Sequence, residues 1–206
     1  MIGVVDYGIG NLTSAKKSLD YLNAPVRLVT NESDFDGLEG LILPGVGAFG
    51  PTMNALNQKG LIEPIKEFIE TKKPFLGICV GMQVLFESSE ENPEIVGLSL
   101  IKGEVKKITS APRIPQMQWN EVNVNQKFLN EGLLSGLGDS FWMYFLHSYS
   151  VYPKDDSVVV ATCYYGKHLV AYVKQENIYA VQFHPEKSSK DGLLFMSNFV
   201  KICNQS

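Results

Sequence analysis

The sequence predicts an α/β fold with a mostly parallel central sheet, flanked by helices and extended by antiparallel strands in its second half. Short apolar segments alternate with segments of helical periodicity over residues 1–90, and strands joined by helices run parallel and are covered on both faces. The second half contains closely spaced strand candidates, which favours antiparallel pairing. Because repeats, low-complexity tracts and Pro-, Gly- or Ser-rich linkers are absent, we expect one domain over residues 1–206.

The first half carries separate signals for four strands and four helices. The strands are short apolar runs, and the third of them stops at a Pro-Gly pair. We predict strands at Ile2–Asp6, Val26–Val29, Leu38–Leu43 and Phe75–Ile78. Helices are expected where apolar residues recur at helical spacing, or after a cap or an N-terminal proline. We predict them from the Asn11 cap to Leu22, from Pro51, over Leu61–Ile69 and from Val80 to about Ser88.

The second half is richer in strand signals. We predict strands at Glu104–Ile108, Asn120–Val124, Phe141–Leu146, Val158–Thr162, Leu169–Val173 and Tyr179–Phe183. The chain closes with Ser188 and Asp191 in the spacing of a capping box, followed by apolar residues at helical spacing as far as Cys203. This pattern predicts a final helix.

Composition limits the class of protein. Apolar residues make up 45% and charged residues 19% of the chain, which is typical of a soluble globular protein. A formal net charge of −4 argues against a nucleic-acid binder, which needs a basic surface. No apolar run approaches the roughly 20 residues that span a bilayer, and Asp6 interrupts the first run, so we expect no membrane segment and no secretion signal. Without a CxxC pair, Cys79, Cys163 and Cys203 predict reduced thiols in the cytoplasm.

Cys79 lies in the sharpest local motif, Gly77-Ile78-Cys79-Val80-Gly81, between a strand pattern and a helix pattern. Glycines two positions before and after the central residue permit a tight strand-to-helix turn that exposes its side chain. A helix N-terminus also favours the thiolate, which is the reactive form. The motif alone fits a reactive thiol and a buried cysteine between turn glycines equally well. Cys163 and Cys203 lie in apolar patterns and are expected in the core.

His184 and Glu186 follow the last strand candidate. Residues i and i+2 of an extended segment point the same way, so Glu186 can orient the His184 imidazole while His184 acts as a base towards Cys79. A surface histidine beside an acid is the alternative.

The segment Leu43 to Phe49 (LPGVGAF) also follows a strand. Its glycines either let backbone N–H groups face a ligand, as in an oxyanion hole, or form an ordinary turn.

In this order and these contexts, the three motifs resemble those of the class I, triad-type glutamine amidotransferases. Longer motifs narrow the resemblance to the glutaminase subunits of imidazole glycerol phosphate synthase, in histidine biosynthesis. They are DYGIGNL at 6–12, PGVGAFG at 44–50, PQMQWN at 115–120, YFLHSY at 144–149 and HPEKS at 184–188. The resemblance covers nearly the whole chain. It implies a three-layer α/β fold with no cofactor and no metal.

The resemblance also assigns roles to individual residues. It implies that a triad of Cys79, His184 and Glu186 hydrolyses L-glutamine to glutamate and ammonia. The oxyanion hole would use the N–H groups of Val46 and Val80, after rotation of the Gly45–Val46 peptide. The matching positions around the glutamine are Gly47, Gln83, Glu91, His147, Ser148 and Tyr149, and those facing a partner are Asn11, Trp119 and Lys187. Without the resemblance, Gln83, Glu91 and Lys187 could equally be solvated positions, and Tyr149 and Trp119 packed aromatics.

The implied partner is a cyclase with a (β/α)8 barrel. Such a barrel takes about 250 residues, which leaves no room for it in a chain of 206. We therefore expect a heterodimer in which ammonia passes to a phosphoribosyl-bearing substrate on a separate cyclase subunit. The products would be imidazole glycerol phosphate and an aminoimidazole carboxamide ribotide.

Gln118 is a departure from the family, which reads Met-Gly-Trp-Asn where this chain has Gln at the second position. Gly tolerates positive φ and Gln does so only at a cost, so the local loop shape and the identity of the partner or ammonia acceptor are in question. Two alternatives therefore stay open. One is an amidotransferase subunit of a related synthase, such as one in surface-sugar amidination. The other is a catalytically silent regulatory or scaffold protein, against which the intact triad argues.

Overall fold

The computed structural model describes residues 1–9, 12–109 and 111–205. Within these residues, twelve strands and five α-helices follow one another in mixed order. The strands are β1 Ile2–Val5, β2 Val26–Val29, β3 Gly40–Leu43, β4 Phe75–Ile78, β5 Ser88–Ser89, β6 Gly103–Lys107, β7 Gln116–Val124, β8 Ser140–His147, β9 Tyr149–Pro153, β10 Val159–Tyr165, β11 Lys167–Gln175 and β12 Ile178–Val181. The helices are α1 Leu12–Tyr21, α2 Phe49–Gln58, α3 Ile62–Glu70, α4 Val80–Gln83 and α5 Ser189–Cys203. The predicted cap Asn11 lies outside the described residues.

A nine-stranded sheet in the order β2-β1-β3-β4-β12-β11-β10-β7-β8 runs through the molecule. Its first five strands are parallel, and from β12 onwards neighbouring strands are antiparallel. Strands β5, β6 and β9 form a smaller sheet. The α/β fold class with flanking helices and antiparallel strands in the second half is therefore as predicted, and the central sheet, predicted as mostly parallel, has as many antiparallel as parallel pairings. Two hydrophobic clusters fill the core, and both draw on β1, β3 and β4, as a sheet covered on both faces requires.

The outer edge of β8 is covered by the segment that follows β12. The His184 N–H donates to the Tyr144 carbonyl at 2.9 Å, and the Tyr144 N–H donates to Ser188 Oγ at 2.9 Å. The Trp142 N–H donates to the Asp191 carboxylate at 3.5 Å. The large sheet thus curls until its last strand meets the carboxyl end of β12. This brings residues 140–149 beside residues that are far away in the sheet order.

Helix α4 ends much earlier than predicted. It stops at Gln83 instead of continuing to Ser88, because the following segment hydrogen-bonds to residues 97–101. The Leu98 N–H donates to the Val84 carbonyl at 2.7 Å. Gly97 makes this approach possible, since a Cβ at that position would lie 2.0 Å from the Phe86 carbonyl oxygen.

The capping box at Ser188 and Asp191 is also wrong. Ser188 occupies the N-cap of α5, but its hydroxyl makes no capping bond and donates to the His184 carbonyl at 2.6 Å. Both predicted capping side chains bind β8 instead, because covering that strand edge satisfies backbone groups that no sequence neighbour could reach.

Most strand positions are as predicted, but β5 and β9 were missed. The sequence from Tyr144 to Pro153 reads as one aromatic and β-branched run, yet it is divided at Ser148 between β8 of the large sheet and β9 of the small one. Pro51 lies in the first turn of α2, which begins at Phe49. No helix in the described part of the chain is long and apolar enough to cross a membrane.

Gln118 does not disturb the backbone as the sequence led us to expect. It pairs with Phe145 in the regular register of β7 and β8, and it is not among the residues with positive φ. Its side-chain amide donates to Asn120 Oδ1 at 2.9 Å. An extended strand accepts Gln without the cost that a left-handed turn would impose, so the concern about loop shape is wrong.

Candidate active site

Cys79 stands at a sharp turn between β4 and α4. Its backbone has φ 55° and ψ −109°, a conformation that costs most side chains about 1–3 kcal/mol. The flanking glycines allow the turn to pack closely: a Cβ at Gly81 would lie 2.0 Å from the Leu43 carbonyl oxygen, and one at Gly77 would lie 2.7 Å from the Gly81 carbonyl oxygen. The geometry is that of a nucleophile elbow, which projects the central side chain away from the backbone.

His184 and Glu186 form an ion pair, but Glu186 lies in a 3-10 turn, Pro185–Lys187, and not in the extended segment from which the pairing was predicted. His184 Nδ1 lies 2.8 Å from Glu186 Oε1, and the side chains are only 1% and 6% exposed. Burial acts to lower the pKa of His184, but Cys79 and then Glu186 outweigh it and raise the pKa to about 10. His184 Nε2 is buried and has no hydrogen-bond partner among the described residues, so it is free to exchange a proton with the adjacent cysteine.

The Cys79 sulfur has two polar contacts of opposite character. The thiol donates to the Leu146 carbonyl oxygen at 3.7 Å, and Gln182 Nε2 donates to the sulfur at 3.6 Å. Leu146 belongs to β8, which the curl of the sheet brings to this point. The sulfur therefore lies between β8 and the segment after β12, both of which are distant from Cys79 along the chain.

A cavity of about 250 Å³ opens onto Cys79. This is small compared with pockets for drug-sized ligands and suits a molecule the size of an amino acid. The predicted site residues that line it are Val46, Gly47, Cys79, Gln83, Glu91, His147, Ser148 and Tyr149. His184 and Glu186 do not line it, and their ion pair lies next to the sulfur behind the cavity wall.

Two of the predicted substrate residues are fixed by hydrogen bonds to the walls. The Glu91 carboxylate accepts from the Phe49 N–H at 2.8 Å and so caps helix α2. Gln83 is 4% exposed, and its Nε2 donates to the Tyr149 carbonyl at 3.1 Å. Both side chains are thus pre-positioned parts of the cavity, unlike the solvated helix positions that were the alternative.

His147 is buried beneath the cavity. Its Nδ1 lies 2.7 Å from the Tyr149 carbonyl and its Nε2 lies 2.8 Å from Gln116 Oε1. Burial, together with the nearby His184, lowers its pKa to about 4 against a weaker opposing effect of the Tyr149 carbonyl. A neutral ring at this place anchors the backbone of residues 147–149, which forms one wall of the cavity.

The two proposed oxyanion donors belong to two segments that pack against each other beside Cys79. Val80 is the first residue of α4, where a backbone N–H has no partner within the helix. Val46 follows Gly45, which packs so tightly that a Cβ there would lie 2.1 Å from Val80 Cγ1. The Pro44 carbonyl accepts from the Tyr7 hydroxyl at 3.0 Å, which fixes the entry to this loop.

Of the predicted partner residues, Trp119 and Lys187 lie outside the cavity. Trp119 is 44% exposed and packs edge-on against Tyr144, with ring centroids 6.4 Å apart. Met117 and Trp142, on the same face of β7 and β8, are 56% and 53% exposed. Lys187 follows the His184–Glu186 pair and is partly exposed, and Asn11 lies outside the described residues. Several large apolar side chains are therefore uncovered beside the active site.

The other two cysteines are core residues. Cys163 and Cys203 are 0% and 1% exposed, and burial raises the pKa of each thiol to about 12. Thiols of this kind are unreactive. In the described part of the chain no three His, Cys, Asp or Glu side chains cluster in a way that could hold a metal ion.

Sequence reasoning missed three residues of the site. Leu146 and Pro115 line the cavity, and Gln182 contacts the sulfur. Leu146 and Pro115 carry no chemical signal, because they come to the site only through the curl of the sheet. Gln182 had one: it is a polar residue inside the apolar strand Tyr179–Phe183, and buried polar groups need a specific partner.

Comparison with known proteins identifies the family. The family of class I glutamine amidotransferases matches residues 3–202. The chain is 43% identical over 202 residues to the imidazole glycerol phosphate synthase subunit HisH of Moorella thermoacetica, covering 98% of this chain and 94% of that one. It is 46% identical over 203 residues to the subunit of the same name from Trichodesmium erythraeum, covering 97% and 93%.

Solved structures share the fold at lower sequence identity. A crystal structure of a glutamine amidotransferase superposes with a TM-score of 0.77 at 22% identity, covering 98% of each chain. The structure of PurLQS from Thermotoga maritima gives the same TM-score and identity, with 97% of each chain covered.

Proposed function

The chain belongs to the class I glutamine amidotransferase family, and we propose that it is the glutaminase subunit of an imidazole glycerol phosphate synthase. The observation that carries the proposal is the cavity that ends at Cys79, with the His184–Glu186 ion pair behind it. The reaction is hydrolysis of L-glutamine to glutamate and ammonia. Relatives 43–46% identical over nearly the whole chain are named subunits of this synthase, which supports this branch over the surface-sugar alternative.

The chemistry proceeds through a thioester. The proton of the Cys79 thiol passes to His184, and the resulting thiolate attacks the side-chain amide carbon of glutamine. The imidazolium then gives that proton to the leaving nitrogen, and ammonia departs. Water, deprotonated by His184, hydrolyses the thioester and releases glutamate. Glu186 holds the ring and stabilises its positive charge, in accordance with the raised pKa of His184.

The tetrahedral intermediates need donors for the oxyanion. The Val80 N–H supplies one, because the start of α4 leaves it without a partner in the helix. The Val46 N–H supplies the second once the Gly45–Val46 peptide has rotated, and Gly47, with φ 143°, gives this loop freedom. Losing one such donor typically costs about 2.7–4 kcal/mol of transition-state stabilisation. The rotation can therefore switch the reaction on when a partner binds.

Substrate binding uses the rest of the cavity. Gln83 and Glu91 provide acceptors for the α-ammonium group of glutamine. The backbone of Gly47, Ser148 and Tyr149 binds the α-carboxylate. The His147 ring keeps that backbone in place. We infer that the single domain of residues 1–206 carries the whole glutaminase site.

The partner that takes the ammonia is a (β/α)8-barrel cyclase in a cytoplasmic heterodimer. The exposed apolar side chains Met117, Trp119 and Trp142 support a contact surface beside the active site, and the resemblance adds Lys187 and Asn11 to the residues expected to face the partner. The cyclase converts ammonia and its phosphoribosyl-bearing substrate to imidazole glycerol phosphate and an aminoimidazole carboxamide ribotide.

The test is glutamate release by the purified chain, alone and with a barrel cyclase, with and without the cyclase's nucleotide ligand. We expect little activity alone and a large increase in the ligand-bound complex. Cys79→Ala is expected to abolish activity, whereas Cys163→Ala, at a buried thiol of the core, keeps it. Activity that survives Cys79→Ala contradicts the nucleophile assignment. Full activity of the free chain contradicts the switch, and failure to bind or respond to the cyclase contradicts the partner.

A further inference from the structure

We infer that Gln182 is a catalytic residue that donates a hydrogen bond to the Cys79 thiolate, and that Gln83 sets the orientation in which it does so. The inference rests on the proposed function only for its consequence on turnover, because the state of the thiol can be measured without glutamine. It gives Gln83 a second role besides contact with the substrate.

Gln182 is held firmly in place. It follows directly after β12 and is 0% exposed, and its backbone N–H donates to the Ala171 carbonyl at 2.9 Å. It lies two positions before His184, in the bend that follows β12. A buried amide must have its donors and acceptor satisfied, which makes the partners of Gln182 decisive.

Those partners allow only one orientation of the amide. The Tyr149 carbonyl oxygen can only accept, so the group facing it must be Gln83 Nε2, at 3.1 Å. The same Nε2 lies 3.0 Å from Gln182 and is a donor, so Gln182 must present Oε1 to it. Gln182 Nε2 is then left facing the sulfur at 3.6 Å. A backbone carbonyl thus fixes, through two side-chain amides, that an N–H and not an oxygen points at Cys79.

An N–H donor stabilises the thiolate more than the thiol. The Leu146 carbonyl has the opposite effect, since it accepts from the protonated thiol. The titratable groups that act on the sulfur are His184 on the segment after β12 and Tyr7 after β1, with Glu186 behind the histidine. Gln182 is the neutral member of this set, and it offsets the carbonyl without adding charge.

The relay also links the sulfur to the cavity. Gln83 and Tyr149 both line it, and Gln83 Oε1 makes no hydrogen bond within the described residues. A ligand with an ammonium group that donates to this oxygen polarises the Gln83 amide, and hydrogen bonds in a chain strengthen one another. Binding of an amino acid therefore strengthens the bond from Gln182 to the sulfur.

The primary experiment measures the rate of Cys79 alkylation by iodoacetamide as a function of pH, with the modified peptide identified by mass spectrometry. Gln182→Met keeps the side-chain length, adds no charge and removes the donor. Hydrogen bonds to charged groups contribute enough that we expect alkylation at neutral pH to slow by about ten- to a hundredfold, with the pH profile moved to higher pH. Gln182→Glu keeps the acceptor for Gln83, loses the donor and is expected to slow alkylation further.

Gln83→Met tests the orientation. Residue 83 makes no hydrogen bond to the sulfur, yet without its Nε2 the Gln182 amide is free to turn, and we expect a smaller shift in the same direction. Gln175→Met is the matched control. It also removes a partly buried side-chain amide that donates to a backbone carbonyl, that of Leu100, but at a place remote from the site. It is expected to keep the wild-type profile.

Turnover gives an independent readout. In the complex with the cyclase, we expect Gln182→Met to lower kcat much more than it changes the KM for glutamine. An unchanged alkylation profile in both folded Gln182 variants overturns the inference, whatever the glutaminase result. If one variant fails to fold, the profile of the other decides. If the Gln182 variants shift the alkylation profile but the wild-type chain releases no glutamate in the complex, the proposed function is wrong and the thiolate donor stands.

Discussion

Cys79 is kept in a left-handed backbone conformation by hydrogen bonds on both sides. Its N–H donates to the Val181 carbonyl at 2.7 Å, and its carbonyl accepts from the N–H groups of Met82 and Gln83 at 3.0 and 3.2 Å. These bonds tie the turn to β12 and to the start of α4, so the strain of a positive φ is offset by its surroundings. The consequence is a sulfur atom that projects from the turn, with its approach to His184 determined by the backbone.

At the same scale, the burial of His147 predicts how the free energy of unfolding depends on pH. Its ordinary pKa of 6.5 applies in the unfolded chain, and burial lowers the pKa to about 4 in the folded protein. Between these values the unfolded chain binds a proton that the folded protein does not. The free energy of unfolding should therefore be independent of this group above about pH 6.5. It should fall as the pH decreases towards 4, by up to about 1.4 kcal/mol per pH unit.

Urea unfolding at a series of pH values measures this effect. His147→Gln is expected to have a shallower decrease than the wild type over the same range, since carboxylates titrate in both proteins. His168→Gln, at an exposed histidine, should keep the wild-type dependence. Parallel curves for the wild type and His147→Gln would show that His147 is not buried in its neutral form.

At the scale of the element, the turn from β4 to α4 predicts the effect of a single methyl group. A Cβ at Gly81 would lie 2.0 Å from the Leu43 carbonyl oxygen. Because moving the backbone aside costs free energy, Gly81→Ala should lower the free energy of unfolding by about 3 kcal/mol or more. At Gly37, φ is 71° but nothing lies within 4 Å, and Gly37→Ala should cost about 1 kcal/mol. Urea denaturation compares the two, and equal costs would mean that β3 and α4 can separate.

The elements also show where sequence reasoning succeeds. Strands β2 and β4 were predicted to the residue, because a short apolar run between turn residues is a local signal. Helix α4 was predicted too long, and β9 was missed, because Gly97 and Ser148 act through contacts with distant segments. The residues of the triad were predicted from their motifs, but the contacts of Leu146 and Gln182 with the Cys79 sulfur were not.

At the scale of the whole molecule, the site exists because the sheet curls. Cys79 comes from the parallel part, and Leu146, which accepts from its thiol, comes from the last antiparallel strand. No periodicity in the sequence specifies how far a sheet of nine strands bends, so this proximity could not be predicted. It makes catalysis dependent on both parts of the fold at once.

The same dependence predicts that the two parts unfold together. Strand β12 pairs parallel with β4 and antiparallel with β11, so separating them would expose two strand edges and the core on both faces. The two tryptophans of the chain, Trp119 and Trp142, lie in β7 and β8 and report on the antiparallel part, while helical circular dichroism reports largely on the rest.

Leu41→Ala removes a fully buried side chain from β3, far from both tryptophans in the sheet order, and should cost about 2–5 kcal/mol. If residues 1–206 are one cooperative domain, the tryptophan fluorescence transition must shift to lower urea by the same amount as the helical signal, because a two-state protein has a single midpoint. A fluorescence midpoint that stays at its wild-type value while the helical midpoint falls would mean that the antiparallel part folds independently. The continuous ladder through β12 would then not couple the two halves of the catalytic site.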